Sequence, residues 1–275
     1  MNTKPKTLAS DWLKSATKDL NKSGDPTSRL DCLILLEDNL GETRAHILAH
    51  DDTHLTNQQF VKLNSQIELR KKHIPLAYIR GKSYFYGREF IVNNHTLVPR
   101  PESETMIDLA KQLTLLTKSS RVADIGCGSG CLGITLTLEL PNIKIDLYDI
   151  DKVCIATSKE NAEFLGAKAK YYLNDLLKDV DYSYDLILAN LPYVPNTHTI
   201  NKDAMNEPKH AIFGGPDGLS LYRRLFKQLH ALNESPKYVL TESLPNQHQE
   251  LKEIAKKLGY KLIKTDDFIQ SFKSF

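Results

Sequence analysis

Residues 121–130 read Arg-Val-Ala-Asp-Ile-Gly-Cys-Gly-Ser-Gly, which predicts a buried strand, a glycine-rich turn and the start of a helix that runs to Pro141. Glycines at alternate positions allow positive φ angles and let the backbone approach a ligand closely. The Gly-x-Gly-x-Gly spacing differs from the Gly-x-Gly-x-x-Gly of dinucleotide folds, so we do not expect a pyrophosphate here. Asp124, directly before the turn, favours a cationic or amino-bearing ligand over a phosphate.

Strands and helices alternate along the chain from Leu97 onward, which is typical of a mostly parallel sheet covered by helices. We predict strands at 121–125, 143–149, 169–173, 184–190, 237–242 and 260–265, with a last short strand near 268–273. The predicted fold class is therefore α/β with a Rossmann-like sheet, in a domain that covers residues 96–275.

The N-terminal part, residues 1–73, is predicted to form a small helical domain. Its apolar residues recur at helical spacing, Gly41 is a predicted helix stop, and Thr56 is a predicted N-cap. Residues 74–95 are predicted to form a linker that contains a β-hairpin with its turn at Gly87.

Composition limits the class of protein. The chain has 275 residues, 41% of them hydrophobic, and a formal net charge of +2 from 36 basic and 34 acidic residues. This near balance argues against stable binding to nucleic acid as the main function. The first 20 residues lack the apolar core of a signal peptide, and no apolar run is long enough for a membrane helix. We therefore expect a cytoplasmic protein that does not associate with membranes.

Polar residues follow the predicted strands in order. Asp149 ends the second strand of this domain, where an acid commonly binds ribose hydroxyls, and Asn174-Asp175-Leu176 ends the third, where it could frame an adenine ring. Ligands of open α/β sheets bind at the carboxyl ends of the strands, so these positions should converge. They describe a pocket for a nucleoside with a charged amino-acid tail and no phosphates, which S-adenosylmethionine fits.

The fourth strand runs into Asn190-Leu191-Pro192-Tyr193. The Asn190 side-chain oxygen and a backbone carbonyl beside Pro192 can each accept a hydrogen of a planar NH₂ group, and the ring of Tyr193 can stack on its plane. Beside a methyl sulfonium, such a clamp implies direct displacement by nitrogen, mostly through alignment. From this turn alone, an ordinary strand ending without chemistry remains open.

Neither the cysteines nor the histidines point to further chemistry. Cys32, Cys127, Cys131 and Cys154 form no CxxC pair, and small loop residues explain the two near the glycine turn better than reactive thiols do. His46, His50 and His54 recur every four residues, but Asp51-Asp52 should break a helix there, so no metal site is expected.

Five segments resemble the bacterial protein-glutamine N5-methyltransferases of peptide-chain release factors (HemK/PrmC-type). They are residues 29–55; Pro75–Ile79 with Phe85–Gly87; Leu97-Val98-Pro99-Arg100-Pro101-Glu102-Ser103-Glu104; Asp124–Gly130; and Asn190–Tyr193 with Glu207-Pro208 and Gly214–Leu219. The resemblance implies a class I methyltransferase that uses S-adenosylmethionine, yields S-adenosylhomocysteine and modifies the glutamine of the Gly-Gly-Gln loop of class 1 release factors. It also implies that the helical domain helps to dock the release factor.

The resemblance extends to individual residues of this chain. We predict cofactor binding by Asp124, Gly126, Cys127, Gly128, Ser129, Gly130, Asp149, Ile150, Asp175, Leu176 and Asn190, and for the Gly126–Gly130 loop, Asp149, Leu176 and Asn190 this role is implied by the resemblance. It assigns catalysis to Asn190, Pro192 and Tyr193. It assigns substrate binding to Asn190, Leu191, Pro192, Tyr193, Arg100 and Glu102. No sequence feature demands a dimer, so we expect a monomer.

The chain departs from the family pattern at two places. Family members usually have proline at the position of Leu191, and Asn-Leu-Pro-Tyr also occurs in enzymes that dimethylate adenine in ribosomal RNA. Glu242 is followed by Ser243-Leu244-Pro245, where the family usually has Glu-x-Gly. Because the residue after Asn190 mainly shapes the backbone, we expect the clamp to form with a freer turn.

Two other functions compete with this interpretation. An adenine-N6 methyltransferase acting on RNA or DNA would also bind a planar, conjugated amine, but it needs a flipped base and a basic track for the strand. The near-neutral composition and the acidic residues Asp203, Glu207 and Asp217 disfavour such a track. A non-catalytic, cofactor-binding module is the other alternative, and the intact set of polar residues argues against it.

Overall fold

A computed structural model describes residues 7–113 and 120–275 of the chain. Its contacts divide the chain into two compact units, Met1–Gly81 with Asn201–Asn206, and Lys82–Ile200 with Glu207–Phe275. The domain boundaries at residues 73 and 95 stay predictions. In the described part of the chain, no helix has the length and hydrophobicity needed to span a bilayer.

The first unit is helical. It contains α1 (Ala9–Asn21), α2 (Ser28–Leu40), α3 (Arg44–Ala49), α4 (Asn57–Lys71) and α5 (Leu76–Arg80). Gly41 ends α2 with φ 70°, and Thr56 begins α4 with a capping box shared with Gln59, so both predicted helix signals are confirmed. The unit has its own apolar core, in which Trp12, Leu36 and Leu63 are buried. Helix α5 was not foreseen within the predicted linker.

A buried arginine cluster holds a separate piece of chain in this unit. The Arg70 guanidinium, whose side chain is 4% exposed, contacts the carboxylates of Asp25 at 2.5 Å, Asp31 at 2.6 Å and Asp203 at 2.8 Å. Asn206 adds hydrogen bonds from its side chain to the carbonyls of Lys72 and His73. Residues 201–206 are therefore fastened to the helices by charge and by backbone contacts.

The second unit begins with a hairpin and continues as a sheet covered by helices. The hairpin is β1 (Lys82–Phe85) and β2 (Arg88–Ile91), and its turn residues Tyr86 and Gly87 have φ 50° and 73°. Positive φ at both central residues is the requirement of a two-residue type I′ turn. The hairpin with its turn at Gly87 is confirmed.

The sheet has seven strands in the order β5-β4-β3-β6-β7-β9-β8. The strands are β3 (Arg121–Ile125), β4 (Lys144–Asp149), β5 (Lys170–Leu173), β6 (Leu186–Ala189), β7 (Tyr238–Glu242), β8 (Tyr260–Asp266) and β9 (Ile269–Ser274). β3 to β7 pair in parallel, while β9 is antiparallel to β7 and β8. This mostly parallel α/β sheet confirms the predicted fold class, and each strand lies within two residues of its predicted bounds.

Helices cover both faces of the sheet. They are α6 (Glu104–Gln112), α7 (Cys131–Glu139), α8 (Lys152–Leu165), α9 (Lys209–Ile212), α10 (Ser220–Ala231) and α11 (His248–Lys257). One buried apolar cluster includes Val122, Leu188 and Leu240, and the other includes Ala123, Ile187 and Val239. Because side chains alternate along a strand, these clusters lie on opposite faces. Both faces are therefore buried over the central strands β3, β6 and β7.

Candidate active site

A cavity of about 270 Å³ lies at the carboxyl ends of β3, β4, β5 and β6. The predicted site residues that line it are Arg100, Gly126, Cys127, Gly128, Ser129, Asp149, Ile150, Asp175, Leu176, Asn190, Leu191 and Pro192. The predicted residues that do not line it are Glu102, Asp124, Gly130 and Tyr193. The expectation that the strand ends converge on one crevice is thus confirmed.

The glycine turn takes its shape from positive φ angles and from Asp149. Gly126, Gly128 and Gly130 have φ angles of 73°, 54° and 80°. The N–H of Gly128 donates to Asp149 Oδ2 at 2.9 Å, and the N–H of Asp151 donates to Asp149 Oδ1 at 2.9 Å. A carboxylate offers about four acceptor positions, so Asp149 can also bind ligand hydroxyls. Burial raises the pKa of this carboxyl.

Asp124 lies one residue before the end of β3 and is 1% exposed. Its Oδ2 accepts a hydrogen bond of 2.9 Å from the N–H of Gly133, in the first turn of α7. Burial raises the pKa of Asp124 to about 7, and the nearby charge of Asp149 adds to the rise. In this structure the buried side chain links the end of β3 to the first turn of α7. A direct contact of Asp124 with a cofactor stays a prediction.

The far end of the cavity is formed by the segment after β5. Leu176 has φ 56°, a left-handed conformation that is uncommon for a residue with a side chain. The Asn174 side chain stabilises it by donating to the carbonyls of Leu176 at 3.3 Å and Lys178 at 3.0 Å. The Asp175 carboxylate pairs with the Arg224 guanidinium at 2.5 Å. Ile150, 65% exposed, provides an apolar surface on the same cavity.

Asn190 lies directly after β6, and its amide orientation is fixed by its partners. Nδ2 donates to Ser103 Oγ at 2.9 Å and to Glu242 Oε2 at 3.0 Å. Because the NH₂ group faces these two oxygens, Oδ1 is the amide atom that remains for a ligand, and no described residue donates to it. Asn190 therefore presents a hydrogen-bond acceptor to the cavity.

Tyr193 is fixed by the same acid. Its hydroxyl donates to Glu242 Oε1 at 3.0 Å, and burial together with the Glu242 charge raises the pKa of this phenol. Its ring packs against the apolar cluster that includes Ala123. Stacking of this ring on a planar substrate group stays a prediction.

Gly214 and Gly218 pack directly against the backbone of the turn at residues 190–193. A Cβ on Gly214 would lie 2.2 Å from the Pro192 carbonyl oxygen, and a Cβ on Gly218 would lie 1.9 Å from that of Tyr193. Gln247 Nε2 also donates to the Tyr193 carbonyl at 2.7 Å. Only glycine permits these approaches, so the Gly214–Gly218 loop sets the position of the turn.

Arg100 lies at the cavity wall and is held by a buried acid. Its Nη2 contacts Glu207 Oε1 at 2.5 Å, and Glu207 Oε2 accepts a bond of 3.1 Å from the N–H of Val98. The sequence placed Glu207 in a segment that resembles the family and counted it among the acidic residues that disfavour nucleic acid, but gave it no partner. Here its charge is compensated by Arg100.

Ser103 and Glu242 are the contacts of Asn190 that sequence reasoning missed. Glu242 ends β7, which pairs with β6 so that Thr241 lies opposite Ala189. An acid at the end of a buried strand was a usable signal, but the neighbour of β6 could not be read from the sequence. Ser103, in the Pro-Arg-Pro-Glu-Ser segment, carried no signal that separates it from a surface serine.

Family models and curated relatives agree on this chain. The PrmC N-terminal domain model matches residues 11–81, and the methyltransferase small domain model matches residues 103–211. A release factor glutamine methyltransferase of Bacillus subtilis (strain 168) is 31% identical over 84% of this chain and 83% of its own length. Proteins of the same name from Bacillus anthracis and Haemophilus influenzae are 35% and 27% identical, covering 69% and 93% of this chain and 70% and 93% of their own lengths.

Solved structures agree with the fold. The hMettl16 catalytic domain, solved with the MAT2A 3′UTR hairpin 6, gives a TM-score of 0.53 at 17% identity, covering 80% of this chain and 82% of its own. A methyltransferase from Pyrococcus furiosus gives 0.50 at 17% identity, covering 80% and 98%. At these identities the likeness shows a class I methyltransferase fold alone. By sequence, this chain belongs to the release factor glutamine methyltransferase family.

Proposed function

We propose that the chain transfers a methyl group from S-adenosylmethionine to the side-chain amide nitrogen (N5) of the glutamine in the Gly-Gly-Gln motif of class 1 peptide-chain release factors. The observation that carries this proposal is the orientation of Asn190, whose Oδ1 is left to accept from a substrate NH₂ group. The names of the curated relatives support the same reaction.

The residues at the cavity fit S-adenosylmethionine, which lacks phosphates. The Gly126–Gly130 turn offers close backbone approach, and Asp149 and Asp175 offer carboxylates for hydroxyl and amino groups. Leu176 and Ile150 add apolar surface for a base. When bound, the cofactor supplies a methyl group on a sulfonium and leaves as S-adenosylhomocysteine, with the C–S bonding electrons on sulfur.

The clamp makes a poor nucleophile effective by alignment. The nitrogen lone pair of a carboxamide is delocalised into its carbonyl, so orientation of that nitrogen matters more than its basicity. We assign one N–H of the substrate to Asn190 Oδ1 and the other to the carbonyl of Leu191, because the Pro192 carbonyl faces Gly214. Alignment of this kind lowers barriers by up to about 7–11 kcal/mol in well-ordered systems.

No cysteine of the cavity is suited to form a covalent intermediate. Burial raises the pKa of Cys131 to about 12, and it raises the pKa values of Cys127 and Cys154 as well. A thiol that stays protonated is a weak nucleophile. Direct transfer from cofactor to substrate is therefore the simplest route, and the surplus proton on the methylated nitrogen is released to water.

The experiment is methyl transfer from labelled cofactor to purified release factor and, separately, to total RNA. We expect label on the wild-type release factor and none on a factor whose Gly-Gly-Gln glutamine is replaced by alanine. Asn190→Ala should lower kcat by about 10²–10³-fold, as does removal of one preorganised polar contact in other enzymes. Label on RNA alone would favour the adenine-N6 alternative and overturn the proposal.

The remaining assignments are proposals of the same kind. We assign Arg100 and Glu102 to contacts with the release factor near its glutamine, and the helical unit to its docking. We further propose that the enzyme acts as a monomer in the cytoplasm. We also propose that it does not bind nucleic acid stably, and the small net charge of +2 supports this last point.

A further inference from the structure

Glu242 is a buried carboxylate with three neutral hydrogen-bond donors. The residue is 1% exposed. Its Oε2 accepts hydrogen bonds from Ser103 Oγ at 2.5 Å and from Asn190 Nδ2 at 3.0 Å, and its Oε1 accepts one from the Tyr193 hydroxyl at 3.0 Å. Two of these donors belong to the proposed substrate clamp. The acid therefore lies at the centre of the clamp without lining the cavity.

This carboxylate has no cationic partner to explain its burial. Among the described residues, no Lys, Arg or His nitrogen lies within 4.0 Å of it. Burial raises the pKa of this carboxyl and the nearby charge of Glu102 adds to the rise, whereas the three hydrogen-bond donors lower it. Burial of an unpaired anion lowers the stability of the fold, and burial of a neutral side chain of the same shape would lower it less. A stabilising role does not account for an acid here.

We propose that Glu242 is a positioning residue for methyl transfer, which orients the Asn190 amide and strengthens Oδ1 as an acceptor. An ionised carboxylate only accepts hydrogen bonds, so it admits one orientation of the amide, with N–H groups toward Glu242 and oxygen toward the cavity. The inverted amide would direct its oxygen at an anion and its NH₂ group at the substrate NH₂. The inference rests on the proposed function.

The charge of Glu242 also bears on the transition state. Positive charge develops on the substrate nitrogen as its bond to the methyl carbon forms, so the acceptors of its N–H groups must become stronger. A hydrogen bond from Nδ2 to an anion polarises the whole amide group and makes Oδ1 more negative. A preorganised acceptor of this kind stabilises charge that is absent from the ground state.

The backbone carbonyl of Glu242 also contributes to the position of the clamp, through the hydroxyl of Tyr222. The Tyr222 hydroxyl donates to the Glu242 carbonyl at 2.5 Å and lies 3.0 Å from the Ala189 carbonyl, while the N–H of Leu191 donates to that hydroxyl at 3.2 Å. These bonds do not need the Glu242 side chain. A side-chain substitution therefore keeps these backbone bonds and acts on the side-chain contacts of Glu242 with Asn190, Tyr193 and Ser103.

The first test is Glu242→Gln, which keeps the volume and removes the charge. Glutamine can donate as well as accept, so it no longer selects one orientation of the Asn190 amide. We expect kcat on purified release factor to fall about 10–100-fold, with KM for S-adenosylmethionine and Kd for S-adenosylhomocysteine within about twofold, and an unfolding midpoint no lower than that of the wild type. Wild-type kcat, or joint loss of product binding and stability, would overturn the proposal.

The matched control is Asp146→Asn. Asp146 is a 2% exposed carboxylate on β4, paired with Arg121 at 2.6 Å and away from the cavity. Its neutralisation should lower stability and leave kcat unchanged. An equal loss of kcat in both variants would attribute the effect to charge burial in general and overturn the specific role of Glu242.

A double-mutant cycle then tests whether Glu242 acts through Asn190. In an Asn190→Ala background, Glu242→Gln should change the residual single-turnover rate by less than about twofold, because the group it orients is gone. A multiplicative effect of the two substitutions would contradict the inference. If the wild-type enzyme leaves release factor unlabelled, the proposed function itself has failed, and this outcome is distinct from a failure of the variants.

Discussion

Gly214→Ala probes the position of the clamp without altering any group that contacts a ligand. A Cβ at this position would lie 2.2 Å from the carbonyl oxygen of Pro192 and 2.3 Å from that of Gly218. Both atoms belong to the backbone, so no side-chain rotation relieves the overlap. Gly214 has no positive φ angle, so the effect comes from contact alone.

The size of the effect follows from these distances. Ordinary contacts of a Cβ begin near 3.4 Å, so each carbonyl must move by roughly 1 Å. Overpacking of this kind costs about 1–3 kcal/mol of unfolding free energy. A displacement of about 1 Å in an aligned site costs about 10²-fold in rate. We therefore expect kcat to fall about 100-fold while the enzyme stays folded.

The assay is steady-state transfer of labelled methyl to release factor, with S-adenosylhomocysteine binding followed by calorimetry. Product binding should change little, because the glycine turn after β3 is not touched. Gly166→Ala is the control: it places alanine at φ 72° with no atom within 4 Å, at a cost of about 1–2 kcal/mol. A folded Gly214→Ala enzyme with wild-type kcat, or an equal loss in the control, would refute the reasoning.

Three further predictions concern charge and protonation. Arg70→Met should lower the unfolding free energy by about 3–5 kcal/mol in urea titrations, because three carboxylates lose their buried cation; an unchanged midpoint would contradict this. The pKa of Asp124 is raised from 3.8 to about 7, so its protonation stabilises the folded state at low pH and this contribution is lost as pH rises from about 4 through 7. Between pH 5 and pH 8 the wild type should therefore lose unfolding free energy relative to Asp124→Asn, which has no carboxyl group to ionise at this position. A difference between the two proteins that stays constant over this range would refute the prediction. Iodoacetamide at neutral pH should leave methyl transfer intact, because the pKa of Cys131 is about 12; rapid inactivation reversed by Cys131→Ala would show a reactive thiol.

The sheet was predictable because its signals are local. The glycines at 126, 128 and 130 follow a buried strand, and Asp149, Asn174 and Asn190 stand in order at the ends of the next three strands. The hairpin and the caps at Gly41 and Thr56 rest on single residues with specific backbone requirements. Features of this local kind can be predicted without knowing which strands become neighbours in the sheet.

What the sequence could not provide depends on distant pairing and on side-chain direction. Glu242 meets Asn190 only because β7 pairs with β6, and Ser103 reaches them from a segment 87 residues earlier in the chain. Asp124 accepts a hydrogen bond from the N–H of Gly133 in α7, a contact that the sequence did not indicate, and its contact with the cofactor stays a prediction.

The arginine cluster of the first unit has a practical consequence for anyone who recombines such proteins. Residues 1–81 expressed alone would keep Arg70 beside Asp25 and Asp31 but would lack Asp203, which comes from a segment 133 positions later in the chain. A chimera that exchanges the helical module between homologues therefore has to transplant two pieces of sequence together, the N-terminal stretch and the hexapeptide Asn201–Asn206.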